Sequence, residues 1–225
     1  LVATDFDGTL APIRADPDRP RITPTNRRAL RRLGATPNVT VAVVSGRQLA
    51  DLRPRVGVAG VVYAGNHGLE LTRGDAVHVH PTARRLRPEL DRFRDRLQRR
   101  VGHVPGCLIE DKSLSLTIHY RRVDAPDRAA VLDAVGTLRA AGGDRFRLVP
   151  GRECVEVRPA VDWDKGAAVR RIAAACPGET RTVYLGDDTT DEDVFRALDP
   201  ADVGVRVGER ETAAGFRVAT QRAVA

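Results

Sequence analysis

VTVAVVSGR, residues 39 to 47, decides the fold class. Four valines, an alanine and a threonine run without a charge and end abruptly in a hydroxyl, a glycine and a cation. An unbroken β-branched run without polar alternation marks a strand covered on both faces, which in practice means a parallel sheet flanked by helices. Similar short runs recur at Leu1 to Thr4, Gly60 to Ala64 (GVVYA), Thr182 to Leu185 and Val203 to Val207. Between them lie helix-like stretches: Thr23 to Leu33, with an N-cap threonine and a first-turn proline, Gln48 to Val56, Lys165 to Ala175 and Asp191 to Ala197. Leu69 to Val79 reads as a hairpin turning at Arg73-Gly74-Asp75. The strand–helix alternation predicts an α/β protein with a Rossmann-like, doubly wound parallel sheet.

That rhythm breaks in the middle. Thr82 to Val101 is a long charged helix, Cys107 to Glu110 and Ser113 to Arg121 read as strands, and the second alternates in the antiparallel manner (SLSLTIHYR). A helix over Asp127 to Ala141 and two more strands, Phe146 to Val149 and Cys154 to Val157, complete an α+β module. Residues 82–159 are therefore expected to form a domain inserted into a core made of 1–81 and 160–225.

With 225 residues, 42% hydrophobic and 30% charged, the chain is an ordinary globular one. Its net charge of +7 would suit nucleic acid, but the arginines lie mainly on helix-like stretches interleaved with acids, and 4% aromatic content offers no base-stacking surface. No nucleic acid partner is expected. No apolar run is long enough to span a membrane, so no membrane partner is expected either. Three scattered cysteines, Cys107, Cys154 and Cys176, without CxxC spacing fit reduced thiols and a cytoplasmic location. The chain lacks methionine and opens inside a strand, so Leu1 is not expected to be the native start. A terminal helix would be expected beyond Thr220.

Four strand or helix ends carry chemistry. Asp5-Phe6-Asp7-Gly8-Thr9 closes the first strand; period two sends both carboxylates one way and Phe6 the other. Alone, this could be a solvated strand-end turn. Ser45-Gly46-Arg47 offers a hydroxyl, backbone N–H groups and a cation to a phosphate, but alone reads equally as a helix cap. Asp164-Lys165-Gly166 opens a helix, and Lys165 is one of only two lysines, with Lys112, among 37 basic residues. Gly186-Asp187-Asp188 opens a stretch that crowds five acids, Asp187, Asp188, Asp191, Glu192 and Asp193, into eight residues. Those acids either cap a helix or face a hard divalent cation. Ligands of open α/β sheets bind beyond the carboxyl ends of the strands, and all four ends meet that requirement together.

In order and spacing, DFDGTL, VVSGR, WDKG and GDDTTDED resemble the four motifs of the haloacid dehalogenase-type phosphatases. The resemblance implies that Asp5 is a nucleophile forming an aspartyl phosphate and Asp7, expected among anions, a general acid/base. It implies that Ser45 and Lys165 hold phosphoryl oxygens. Mg²⁺ would sit among Asp5, the backbone carbonyl of Asp7 and Asp187, with Asp191 or Asp188 in support; Glu192 and Asp193 would belong to the next helix. Asn66-His67-Gly68, the stretch from Glu110 to Leu116, His119-Tyr120-Arg121 and the stretch from Gly151 to Pro159 narrow the resemblance to the trehalose-6-phosphate phosphatases. There Glu110, Lys112, Arg121 and Glu156 would reach sugar hydroxyls from the cap, and Asn66, His67 and Arg47 from the core. The implied substrate is a phosphosugar, and the implied pathway partner a trehalose-6-phosphate synthase. Two alternatives stand beside it: a capped phosphatase for another phosphosugar, such as sucrose phosphate or mannosyl phosphoglycerate, and a catalytically silent phosphosugar-binding domain. Intact Asp5, Asp7, Lys165 and Asp187 count against silence. His78 and His80, at period two, read as an exposed strand face rather than a metal pair.

Overall fold

A computed structural model describes residues 1–14, 20–74, 76–151 and 153–224. The chain opens with β1 (Val2–Thr4), α1 (Pro24–Gly34), β2 (Val41–Val44), α2 (Leu49–Val56), β3 (Val62–Gly65), β4 (Glu70–Arg73) and β5 (Ala76–Val79). There follow α3 (Pro81–Val101), β6 (Leu108–Asp111), β7 (Leu116–His119), α4 (Ala125–Ala141), β8 (Phe146–Gly151) and β9 (Cys154–Pro159). The last part holds α5 (Lys165–Ala174), β10 (Val183–Gly186), α6 (Glu192–Ala197), β11 (Val203–Val207) and β12 (Phe216–Val218). Contacts divide the chain into two compact units, Leu1–His78 with Trp163–Ala225, and Val79–Asp162.

The first unit is built on a sheet of order β12-β11-β10-β1-β2-β3-β4-β5 among the described residues. Its strands from β12 to β3 run parallel, and β4 joins β3 antiparallel. The β2 run is buried throughout, and its period of two divides it between two cores. Val41 and Val43 pack with Phe6, Leu30, Leu52 and Val56 on one side. Ala42 and Val44 pack with Val169, Ile172, Tyr184 and Phe195 on the other. This double burial is the physical content of the unbroken apolar run. The expected α/β class, with a parallel-sheet core and a separate antiparallel module, is the one observed. Strand β12 was not anticipated, and the end of the chain carries a short 3₁₀ turn, Gln221–Ala223.

Helix starts follow local chemistry. The Thr23 side chain accepts the Asn26 N–H with Pro24 in the first turn of α1, and Asp164 accepts the Ala167 N–H at 2.7 Å to start α5. Register then aligns the strand ends. Thr4 lies opposite Val43 and Leu185, and Val44 opposite Ala64, so Asp5, Ser45, Asn66 and Asp187 leave the sheet at the same edge. The chain winds away from β1 in both directions, and that is where a doubly wound sheet opens a crevice.

The second unit has a four-stranded sheet of order β6-β7-β9-β8, antiparallel throughout. Leu90, Phe93, Leu97 and Val101 form one stripe of α3 and pack with Val131, Val135 and Leu138 of α4 against Leu116, Ile118, Val155 and Val157. The strand expected from Ser113 begins only at Leu116. Ser113 takes a left-handed backbone (φ 69°) in a tight connection where Lys112 N–H bonds the Ser115 carbonyl. No helix among the described residues is long and apolar enough to cross a membrane. The three cysteines are unpaired and half-buried.

Truncating Leu97→Ala should cost about 2–5 kcal/mol, because its side chain is fully enclosed. Leu132→Ala on α4, where 40% of the residue is exposed, should cost less than about 1 kcal/mol. Urea unfolding of both variants checks the contrast.

Candidate active site

Asp5 leaves β1 into a buried position, 4% exposed, with its N–H bonded to the Leu185 carbonyl at 2.8 Å. Lys165, at the first position of α5, is 3% exposed and donates from Nζ to Asp5 Oδ1 and to Asp191 Oδ1, both at 2.7 Å. Asp191 is held on all sides. Tyr184 donates its hydroxyl to Oδ1 at 2.6 Å, and the N–H groups of Asp187 and Asp188 reach Oδ2 at 2.9 Å each. The GDDTTD loop therefore folds around a single carboxylate that buries its own backbone donors. Thr9 donates to Asp187 Oδ1 at 3.2 Å. Gly8 has φ 86° and must be glycine, since a Cβ there would stand 2.1 Å from Asp187 Oδ2.

Asp5, Asp187 and Asp191 each offer a carboxylate oxygen, all within 4.8 Å of one another. Lys165 offsets one of these three negative charges. The remainder, presented by oxygen donors alone, fits a hard divalent cation. Of the three, Asp191 has both oxygens already accepting N–H or O–H donors. Asp188 is exposed.

Burial pushes the Asp5 carboxyl well above the usual range; Lys165 opposes this, while Asp191, Asp187 and Asp7 reinforce it. Asp187 is pushed up to about 7 by burial and by Asp191, with Lys165 opposing, Asp188 reinforcing and the Thr9 hydroxyl opposing. Burial works against the charge on Lys165, yet Asp191 and Asp5 outweigh it and hold the ammonium above its ordinary value. Burial and the neighbouring carboxylates raise Tyr184, which stays a neutral donor.

Asp7 has a cationic partner that the sequence did not pair with it. Its two oxygens accept Nε and Nη2 of Arg47 at 2.7 and 2.9 Å. Phe6 turns the other way into the core, as period two required. Ser45 is buried, and its Oγ accepts the Arg47 N–H at 3.2 Å. Asn66 is also buried; its Nδ2 donates to Glu70 Oε2 at 2.9 Å, and Glu70 also caps α2 at the Leu49 N–H. His67 takes a left-handed backbone (φ 57°), and its ring packs so closely on Gly46 that a Cβ there would lie 2.7 Å away. Glu192 does begin α6, but it is buried and pairs with Arg206 at 3.0 Å instead of facing solvent.

In the inserted unit, Glu110, Thr117 and Glu156 share one row of the sheet, on the face opposite its helices. Glu156 is 8% exposed. Its Oε1 accepts from Ser115 Oγ at 3.0 Å with Lys112 Nζ at 3.7 Å, and its Oε2 accepts from Arg158 Nε at 2.9 Å. Glu110 pairs with His119 Nε2 at 2.9 Å. Arg121 lies apart from that row and pairs with Glu153 at 3.0 Å. Tyr184, Thr9, Glu70, Ser115 and Arg158 were absent from the expected set. Arg158 lies two residues from Glu156 on β9 and Glu70 four from Asn66, whereas Thr9 and Ser115 meet Asp187 and Glu156 across long sequence separations.

The sequence pattern of the trehalose-phosphatase family matches residues 3–221. The chain belongs to the trehalose-phosphatase family. One curated relative, the trehalose-phosphate phosphatase of Mycobacterium marinum, is 41% identical over 232 residues, covering 98% of this chain and 58% of its own length. The chain thus spans somewhat over half the length of such family members. Among solved structures, the trehalose-6-phosphate phosphatase of Aspergillus fumigatus (crystal form 3) superposes with a TM-score of 0.67 at 27% identity, covering 99% of this chain and 89% of the other. The C-terminal domain of the C. albicans trehalose-6-phosphate phosphatase shares the fold, with a TM-score of 0.82 at 24% identity over 99% of this chain and 88% of the other.

Asp187 titrates higher in the folded protein than the 3.8 of an unperturbed carboxyl. The folded state then binds more protons than the unfolded chain through that window. Metal-free protein should therefore lose stability as pH rises from 3.8 towards 7. Thermal melts in chelator should show Tm falling across this range, and a divalent cation should restore more of it near neutral pH than near the acid end. A rising Tm in chelator would contradict the charge balance described above.

Proposed function

We propose that this chain is a Mg²⁺-dependent phosphatase that hydrolyses trehalose 6-phosphate to trehalose and phosphate. The observation that carries the proposal is the buried Asp5–Lys165–Asp191 ion triad beside Asp187, at the sheet edge that also carries Asp7. A buried carboxylate fixed by an ammonium is suited to attack; a binding module has no need of one. Membership of the trehalose-phosphatase family supports the substrate class.

In the proposed cycle, an oxygen of Asp5 attacks phosphorus and the ester P–O bond breaks, its electron pair going to the sugar oxygen. Asp7, as the acid, gives that oxygen its proton. Water then attacks the aspartyl phosphate while Asp7 takes a proton from it, and the bond between phosphorus and Asp5 breaks to release phosphate. Asp5, Asp187 and the Asp7 backbone carbonyl, with Asp191 supporting, would hold Mg²⁺, which would supply positive charge against the phosphate dianion. Lys165 adds charge at the same place, and Ser45 binds a phosphoryl oxygen. Residues 82–159 act as the sugar-recognition domain through Glu110, Lys112, Arg121 and Glu156, with Arg47, Asn66 and His67 contributing from the core. A trehalose-6-phosphate synthase would supply the substrate.

Phosphate release from trehalose 6-phosphate should require Mg²⁺, stop reversibly in chelator and vanish in Asp5→Asn. Full activity in either condition would sink the mechanism. Lys165→Arg should lose about 10²-fold in kcat, because a planar fork cannot sit between two carboxylates as a compact ammonium does.

Glu156→Gln should reduce kcat/KM for trehalose 6-phosphate by roughly 1–3 kcal/mol of transition-state binding, while a small aryl phosphate is nearly unaffected. Equal losses on both substrates would assign Glu156 to folding instead of recognition.

A further inference from the structure

Arg47 is anchored on the side away from Asp7. Its Nε and Nη2 face the two Asp7 oxygens, while Nη1 donates to Asp51 Oδ2 at 2.8 Å. The guanidinium also lies over the Phe6 ring, 5.7 Å from its centroid. Asp51 sits on α2, and its other oxygen, Oδ1, receives Arg55 Nε at 2.7 Å and Nη2 at 2.6 Å. Arg55 is buried in turn and donates from Nη1 to the Pro20 carbonyl at 3.1 Å. Charges therefore alternate from Asp7 through Arg47, just before α2, to Asp51 and Arg55 on α2, the last three at four-residue spacing.

We propose that Asp51 is a positioning residue for proton transfer at Asp7, acting through Arg47. The proposal rests on Asp7 being the acid that protonates the leaving oxygen. With both oxygens on Arg47, Asp7 can reach a leaving group only by turning one oxygen away. An arginine side chain held by Asp7 alone would follow it, because its many torsions are soft. Asp51 and Arg55 hold the far edge of the guanidinium, and Phe6 holds its face. Arg47 then stays as a fixed pivot while one Asp7 oxygen, turned away from it and protonated from solvent, gives that proton to the ester oxygen as the P–O bond breaks and its electron pair goes to that oxygen. Burial disfavours the charge on Arg47, yet its bonds to Asp7 and Asp51 more than compensate, so the pivot remains cationic.

The test compares Asp51→Asn with wild type on phenyl phosphate and 4-nitrophenyl phosphate with Mg²⁺. The two esters are alike in shape, but only the poorer leaving group, phenolate, needs much help from an acid. The ratio kcat/KM reports events through the first P–O cleavage, before Asp7 acts on water. Asp51→Asn should lose about tenfold or more on phenyl phosphate, within the range for general acid catalysis, and less than about threefold on 4-nitrophenyl phosphate. Asp51→Glu should recover most of the difference. Equal losses on both esters, or no loss on either, would overturn the proposal. A second readout needs no turnover: the Arg47 Nε–H proton in NMR should exchange slowly with solvent in wild type and quickly in Asp51→Asn. An unchanged exchange rate overturns the proposal too. A wild-type protein inactive on trehalose 6-phosphate and on both esters would refute the phosphatase function and the kinetic role of Asp51 together, while the Nε–H signal still decides whether Asp51 holds Arg47.

Discussion

The site depends on one ammonium placed between two carboxylates. Lys165, Asp5 and Asp191 are all buried, and none could be charged there alone, since removing one partner of a buried ion pair typically costs about 3–5 kcal/mol. Together they form a unit in which Asp191 also gathers Tyr184 and the turn at Asp187 and Asp188. The arrangement still leaves negative charge in excess. Fold and chemistry are coupled at this point: the same carboxylate that shapes the GDDTTD loop also orients the lysine, and the same excess charge that strains the metal-free protein creates affinity for a cation. Each aspartate of the DxD motif has its own cation, a buried ammonium for Asp5 and the Arg47 guanidinium for Asp7.

Much of this was legible in the sequence, for physical reasons that can be named. The β2 run had to be a doubly covered strand, because both of its alternating faces are apolar. Lys165 stood out because a chain that otherwise uses arginine kept a compact cation there. Asp5 and Asp7 shared an edge through the period of a strand. What stayed hidden depended on register across the whole chain. Nothing near Tyr184 reveals that its hydroxyl meets Asp191, and nothing near Arg47 reveals that its guanidinium reaches Asp7. Ser113 looked like part of an alternating strand, but its left-handed backbone makes it a turn. Glu192 opens α6 as its position suggested, but no pattern in the sequence signalled its buried partner Arg206.

The inserted unit shows a different balance between pattern and role. Its alternating strands correctly separated an apolar face from a polar one, but alternation cannot tell solvated charges from enclosed ones. Glu156 belongs to the second kind, with Ser115, Lys112 and Arg158 around a single carboxylate. Such a group is already oriented before any ligand arrives, so less ordering is needed when one does.

The partner of Asp5 lies 160 residues downstream, and β1 pairs with β10 as well as with β2. During synthesis the first three parallel strands emerge with one side of β1 open, and the complete inserted unit must follow before α5 and β10 appear. That unit is continuous in sequence and has its own core, so it can fold while the sheet waits. β10 and the lysine partner of Asp5 thus join β1 only after the inserted unit has been made. This order also means that a ribosome-bound or truncated chain holds Asp5 without its lysine or its acidic loop. The ion triad is completed only when α5 and the loop after β10 have been made.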